Sequence, residues 1–245
     1  DTFMGGYGAF KHDHRIEHFL KTVKLRKGRI LDVGCGGGIL TENIAERLPK
    51  VRLYGCDVSV KAIEHARKFG SGKVQYSVMK KKLPYRADFF DACVCLDVLE
   101  HVPDVGFFLK EVRRVLKKNG HLFLIVPCEG QPFTFTWIFQ KLMFLDTLTY
   151  KNWGHVHPEF THVRVTKLLE RYGFRSILKS YSGHFLYQFD TLCLYLLPRE
   201  LLVLFFKDKA FDYLDRGIIL SQEKGKERKD FIMFVRNTLL TVRSI

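Results

Sequence analysis

The sequence has no long uninterrupted apolar run. Its longest apolar stretch, "FLYQFDTLCLYLLPRELLVLFF", is broken by Asp190, Pro198, Arg199 and Glu200, so no bilayer span is expected in it. The opening residues, "DTFMGGYGAFKHDHR", have no apolar core, and no signal peptide is expected there. No pair among the six cysteines (Cys35, Cys56, Cys93, Cys95, Cys128 and Cys193) has the spacing of a metal knuckle. Cys93 and Cys95 would point to opposite faces of a strand. All six read as reduced thiols of a cytoplasmic protein, with Cys35 the one expected near a ligand. No internal repeat or low-complexity segment is evident. Acidic residues are few beside basic ones, 26 against 40, for a net charge of +14. That excess admits nucleic acid, an anionic membrane surface or an acidic substrate as partner, and a solvated basic surface accounts for it equally well.

What is present suits one folded α/β domain. The chain has 245 residues, 47% of them hydrophobic and 14% aromatic, enough to bury a substantial core. Residues 10 to 27 carry Ile16, Phe19, Leu20 and Val23 at helical spacing. Short apolar runs follow at Ile30 to Val33, "VRLYGCD", "KVQYSVM", "FDACVCLD" and "HLFLIVP". Between them lie the helical patterns "ILTENIAERLPK", "SVKAIEHARKFG" and "VGFFLKEVRRVLKKNG", with Ser59 as an N-cap and Asn119-Gly120 as a stop. Near-continuous apolar strands alternating with helices predict a parallel, doubly wound sheet covered on both faces. "THVRVTKLLERYGF" reads as a further helix, "RSILKSYS" as a sixth strand and "DFIMFVRN" as the last strand. In such sheets ligands sit beyond the carboxyl ends of the strands.

At the first of those ends stands "LDVGCGGGIL". Gly34, Gly36 and Gly38 follow Asp32 in the order Asp-x-Gly-x-Gly-x-Gly, and glycine lets a ligand approach the backbone closely. Gly38-Ile39-Leu40 excludes a P-loop, which needs Gly-Lys-Ser/Thr there. Ile39 stands where the dinucleotide fingerprint puts its third glycine, which weakens a nicotinamide or flavin reading. Asp57 ends the second strand, about 20 residues on, where an acidic residue bonds ribose hydroxyls. The competing reading of Asp57 is a cap for the following helix.

"ILDVGCGGG", "YGCDVSVKAIEHARK", "LPYRADFFDACVCLDVLEHVPD" and "FLKEVRRVLKKNGHLFLIVP" resemble, in order, the motifs of class I S-adenosylmethionine-dependent methyltransferases. The likeness is closest to the ubiquinone and menaquinone biosynthesis group, and it covers residues 28 to 127. It implies a Rossmann-like, seven-stranded, mostly parallel sheet, with S-adenosyl-L-methionine as cofactor and S-adenosyl-L-homocysteine as product. The turn from Asp32 through Gly34, Cys35, Gly36 and Gly38 would lie under the methionine part. Asp57 would hold the ribose and Val58 would pack on adenine. Leu96 would offer backbone near the methionine part, with His101 beside the pocket. In one place the sequence departs from the family: Met79, followed by Lys80, stands where an acidic residue usually reads the adenine amino group.

Methyl transfer is an in-line displacement, and the protein must hold the acceptor about 3 to 3.5 Å from the methyl with water excluded. A hydroxyl acceptor must also lose a proton. Tyr150, His155, His157 and His162 gather in "YKNWGHVHPEFTHV", and histidine suits proton removal near neutral pH. A surface loop ahead of a helix capped by Thr161 explains the same residues. Metal binding is not favoured by this spacing.

The expected organisation is one methyltransferase domain over residues 1–245. It comprises an N-terminal helical segment (1–27), a cofactor-binding core (28–127), a substrate-side cap (128–165) and an apolar helical insertion before the last strand (183–229). The cap and insertion are too apolar for solvated loops. They fit a lipophilic acceptor, a membrane surface with peripheral attachment, a homodimer interface, or simply an enlarged core. The function expected is methyl transfer to a small, hydrophobic or amphiphilic acceptor. An RNA-modifying enzyme and a non-catalytic cofactor-binding subunit are the alternatives. Nucleic acid is disfavoured because few aromatics interleave with the basic runs at Lys80–Lys82 and Lys224–Lys229.

Overall fold

The computed structural model describes residues 14–128, 154–182 and 237–244. The chain divides into two compact units. One comprises Asp1–Val126, Val163–Lys179 and Leu239–Ile245, and the other Pro127–His162 and Ser180–Thr238.

The first unit opens with α1 (His14–Thr22), whose apolar stripe is buried at Ile16 and Phe19. The ring of Phe19 meets Phe123 edge-on at 5.2 Å between centroids. Then come β1 (Gly28–Val33), α2 (Ile39–Arg47), β2 (Val51–Asp57), α3 (Val60–Phe69), β3 (Val74–Val78) and β4 (Phe90–Leu96). A 3-10 turn (Leu99–His101), α4 (Val105–Val115) and β5 (Leu116–Pro127) complete this stretch. Strands β1 to β5 lie in the order β3-β2-β1-β4-β5, and each neighbouring pair is parallel. Beyond them lie α5 (His162–Arg171), β6 (Phe174–Ser182) and β7 (Asn237–Ser244).

Local sequence chemistry explains most of these boundaries. Ser59 caps α3 as expected, its side chain accepting from the amide of Ala62. Asp104 does the same for α4, accepting from Phe107 N at 2.9 Å. The strand cores are buried on both faces: Ile30, Leu31 and Val33 in β1, and Cys93, Val94 and Cys95 in β4, are all inaccessible. That is the pattern of a sheet covered on both sides.

Two boundaries differ from the sequence reading. The helix expected to run to Asn119-Gly120 stops at Val115, and Leu116 turns extended at φ −73°, ψ 138°. Leu116 then pairs with Phe90, and the register shifts before Ala92 pairs with His121. Burial of Leu116 and the ion pair of Lys117 with Asp91 at 2.6 Å outweigh the helical propensity of the two lysines. The last strand was expected at residues 230–237, and the structure places it at Asn237–Ser244; residues 230–236 lie outside those described.

Candidate functional site

The carboxyl ends of β1, β2 and β4 converge where the order reverses between β1 and β4. The glycine turn leaves β1 there. Its amides are held by the neighbouring strand: Gly34 N and Cys35 N both donate to Cys56 O, at 2.7 and 3.1 Å. Gly34, Gly36 and Gly38 all adopt left-handed φ, of 78°, 53° and 84°. Their surroundings differ. A Cβ on Gly34 would strike Val98 at 2.5 Å, and one on Gly38 would strike the Tyr76 hydroxyl at 2.6 Å. A Cβ on Gly36 would meet nothing within 4 Å. Gly34 and Gly38 are glycines because the protein presses on them. Gly36 is bare toward open space, which a ligand can fill.

Asp57 closes this space from β2. One carboxylate oxygen accepts from Gly36 N at 2.9 Å and the other from Ser59 N at 2.8 Å. It therefore braces the turn and the start of α3 together, so the ribose and capping readings describe the same side chain. A carboxylate has about four acceptor positions, which leaves capacity for hydroxyl donors. Beside it Val58 is 66% exposed, an apolar side chain offered to solvent at the mouth of the site. Met79 donates its amide to Asp57 O at 2.8 Å and its sulfur lies 3.9 Å from Cys56 Sγ, while Lys80 is exposed.

On the other side of the switch point Leu96 ends β4, nearly buried. Asp97 follows in the left-handed region, φ 54°, and accepts from Arg15 of α1 at 2.7 Å. His101 ends the 3-10 turn, its amide bonded to Val98 O at 3.0 Å. Asp32, Gly34, Cys35, Gly36, Gly38, Asp57, Val58, Met79, Leu96 and His101 thus belong to turns and strand ends on one edge of the sheet.

Sequence reasoning missed three supports of this edge. Thr41, on the first turn of α2, donates to the buried carboxylate of Asp32 at 2.6 Å. The hydroxyl of Tyr76 lies beneath Gly38 and donates to Glu42 at 2.9 Å; Ser71 donates to the other oxygen of Glu42 at 2.5 Å. Arg15 is the third. Each joins residues distant in sequence, and none carries a local signal.

Asp32 is wholly buried, and burial pushes its pKa up to about 6; Thr41 opposes this, Asp57 adds to it and Arg15 opposes it. The fold thus favours the protonated form. The stability this contributes is fully present below the ordinary value of 3.8 and is lost as pH rises through about 6. Asp32→Asn retains an oxygen for Thr41 without the charge. It should raise unfolding stability at pH 8 by about 2 kcal/mol and leave it nearly unchanged at pH 4. Urea melts of both proteins at the two pH values check this, and a difference independent of pH would refute it.

The second unit carries the histidines. His157 stacks on Phe160 with centroids 4.7 Å apart and ring planes 11° apart, and its Nδ1 lies 3.4 Å from Glu159. His155 is half-buried after Gly154, which has φ 69°, and His162 opens α5. Tyr150 lies outside the described residues, as do Cys193 and most of the cap and insertion.

Residues 31–124 match the family model described as "Methyltransferase domain". This span has the sequence of a methyltransferase domain. It runs from within β1 to within β5 and contains the glycine turn, Asp57 and the β4 corner. Over 119 residues the chain is 35% identical to the ubiquinone biosynthesis O-methyltransferase of Pelagibacter ubique, covering 44% of this chain and 48% of that protein. It is 36% identical over 115 residues to the protein of the same name from Xylella fastidiosa, covering 45% and 46%. The chain spans about half the length of the curated relatives it matches. Among solved structures, a SAM-dependent methyltransferase from Aquifex aeolicus aligns with TM-score 0.55 at 20% identity, over 72% of this chain and 91% of that one. Phosphoethanolamine N-methyltransferase 2 of Haemonchus contortus, solved with S-adenosyl-L-methionine, aligns with TM-score 0.61 at 15% identity, over 95% and 52%. The cyclase SpnF aligns with TM-score 0.63 at 20% identity, over 95% and 80%. These likenesses show the methyltransferase-domain fold.

Proposed function

We propose that the chain transfers a methyl group from S-adenosyl-L-methionine to a hydroxyl of a small lipophilic molecule. The observation that carries this is the open cradle at Gly36, closed by Asp57 and continued by exposed Val58, within a methyltransferase domain. The cofactor supplies a methyl on a sulfonium whose departure leaves a neutral thioether. The backbone of Gly34, Cys35 and Gly36 meets the methionine part, with Leu96 and His101 at its other side. Asp57 accepts from the ribose hydroxyls, and Val58 packs on the adenine. With Met79 and Lys80 in place of an acidic residue, adenine is held by stacking and backbone groups.

The oxygen acceptor is inferred from the curated relatives, which are named as O-methyltransferases of ubiquinone biosynthesis. His155, His157, His162 and Tyr150 are the candidates to take the acceptor's proton. The residues of the cap and the apolar insertion would enclose the acceptor, or meet a membrane surface or a second copy. No described helix is long and apolar enough to cross a membrane. A cytoplasmic location is part of this proposal, as is a seven-stranded sheet in which β7 and β6 continue the order beyond β5. The RNA-modifying and non-catalytic alternatives draw no support from the relatives.

Calorimetric titration should give heat with S-adenosylhomocysteine and none with NADH. Incubation with isotope-labelled methyl donor and a lipid extract should then yield a labelled phenol or alcohol ether detectable by mass spectrometry. Heat with NADH alone would end the proposal. Labelled RNA as the sole product would replace its acceptor.

A further inference from the structure

The exit of β3 decides what the cradle can demand of a base. β2 and β3 run parallel with Asp57 level with Val78, so Met79 comes level with Val58. The amide of Met79 donates to Asp57 O at 2.8 Å, which fixes this register to the last residue of β2. Val58 is the exposed apolar side chain at the mouth, and Met79 and Lys80 border it from the neighbouring strand.

Neither bordering side chain is a good acceptor. Met79 ends in a thioether, a weak acceptor, and its sulfur is turned toward Cys56 Sγ at 3.9 Å. Lys80 is exposed, and an ammonium donates hydrogen bonds without accepting any. The next two lysines are directed to α4. Lys81 lies over the Phe107 ring at 5.3 Å, and the charge of Lys82 acts on Glu111. Carboxylates on the adjoining elements are committed. Asp57 holds Gly36 N and Ser59 N, and Glu111 holds Arg114 and Leu83 N.

An edge of this chemistry cannot select adenine by its amino group. Adenine carries at position 6 an amino group, which donates; hypoxanthine carries there an oxygen, which accepts, and a hydrogen on the neighbouring ring nitrogen. A carboxylate accepts from the first and repels the second. A site built to bond such a group can reject the analogue lacking it by about ten-thousandfold. An ammonium gains nothing from the amino group and donates readily to the oxygen. Packing on Val58 is indifferent to the exchange, because both bases present the same bicyclic face.

Resting on the methyl-donor reading of the cradle, we propose that the site admits nucleosides with oxygen at position 6 of the purine as readily as it admits adenine. Met79 and Lys80 are the residues that set this tolerance.

The probes are S-adenosyl-L-homocysteine and S-inosyl-L-homocysteine, each titrated calorimetrically into the full chain. They share one amino-acid tail and one net charge, so the ratio of their affinities cancels long-range charge effects and any general loosening of the fold. In the parent protein the two affinities should agree within about threefold, since no charge-assisted bond separates them. Met79→Asp returns an acceptor to the edge and should favour the adenine compound by at least about tenfold. Should a carboxylate beside Cys56 lower the melting temperature, Lys80→Glu places one on an exposed side chain and should shift the ratio the same way. A larger preference for the adenine compound in the parent would overturn the tolerance and leave the methyl-donor reading intact. An unchanged ratio in the folded variants would remove Met79 and Lys80 from the base edge and overturn it too. Heat with neither compound would overturn both.

Discussion

Replacing Asp57 by alanine should weaken the binding of S-adenosylmethionine by about a hundredfold or more. The ribose offers two hydroxyl donors, and a hydrogen bond to an ionised acceptor is worth about 1.5 to 3 kcal/mol. Losing both costs at least about 3 kcal/mol, and each 1.4 kcal/mol is a factor of ten. The effect should exceed this sum, because the same carboxylate holds Gly36 N and Ser59 N. Without it the turn loses its preformed shape, and the cofactor must order the turn on binding. Asp57→Asn keeps one acceptor oxygen and should fall between the two. Calorimetry with S-adenosylhomocysteine measures all three proteins. Affinity in Asp57→Ala within threefold of the parent would remove Asp57 from the site.

Gly38→Val should destabilise the fold by about 4 kcal/mol. The position has φ 84°, where a β-branched side chain is strained by about 1 to 2 kcal/mol. The added atoms also meet the Tyr76 hydroxyl at 2.6 Å, its ring at 2.9 Å and Ala66 at 3.0 Å. Overpacking of that kind costs about 1 to 3 kcal/mol more. Tyr76 has little room to retreat, since its hydroxyl is bonded to the buried Glu42. Gly36→Ala is the informative contrast. It meets no protein atom, so it should cost only the strain of its φ, about 1 kcal/mol, while filling the space proposed for the cofactor. Thermal melts should rank Gly38→Val far below Gly36→Ala, and cofactor titration should show Gly36→Ala nearly inactive in binding. Parallel losses of stability in the two variants would mean that the space beside Gly36 is closed in solution.

The central sheet was legible because its signals are local. A strand buried on both faces must be apolar throughout, as "ACVCL" is, and a turn that admits a ligand must be bare, as "GCGGG" is. Ser59 announced its cap by residue type alone. The end of α4 was not legible, because what stops the helix is a pairing of Leu116 with Phe90 across the sheet. Thr41 under Asp32, Arg15 on Asp97 and Tyr76 beneath Gly38 are likewise products of the tertiary fold. The histidine cluster was visible as composition, and the pairing of His157 with Glu159 and Phe160 was not.

Strand β4 has a mechanical consequence. Its second residue, Asp91, is gripped by Lys117 and by the amide of Arg29, and its last residue leads into Asp97, gripped by Arg15. Every residue between them is buried in close-packed surroundings, which compress little and pass displacement along. β4 is therefore a stiff pushrod anchored by an ion pair at each end. A displacement of Asp91 is passed along this packed strand toward the corner beside the glycine turn.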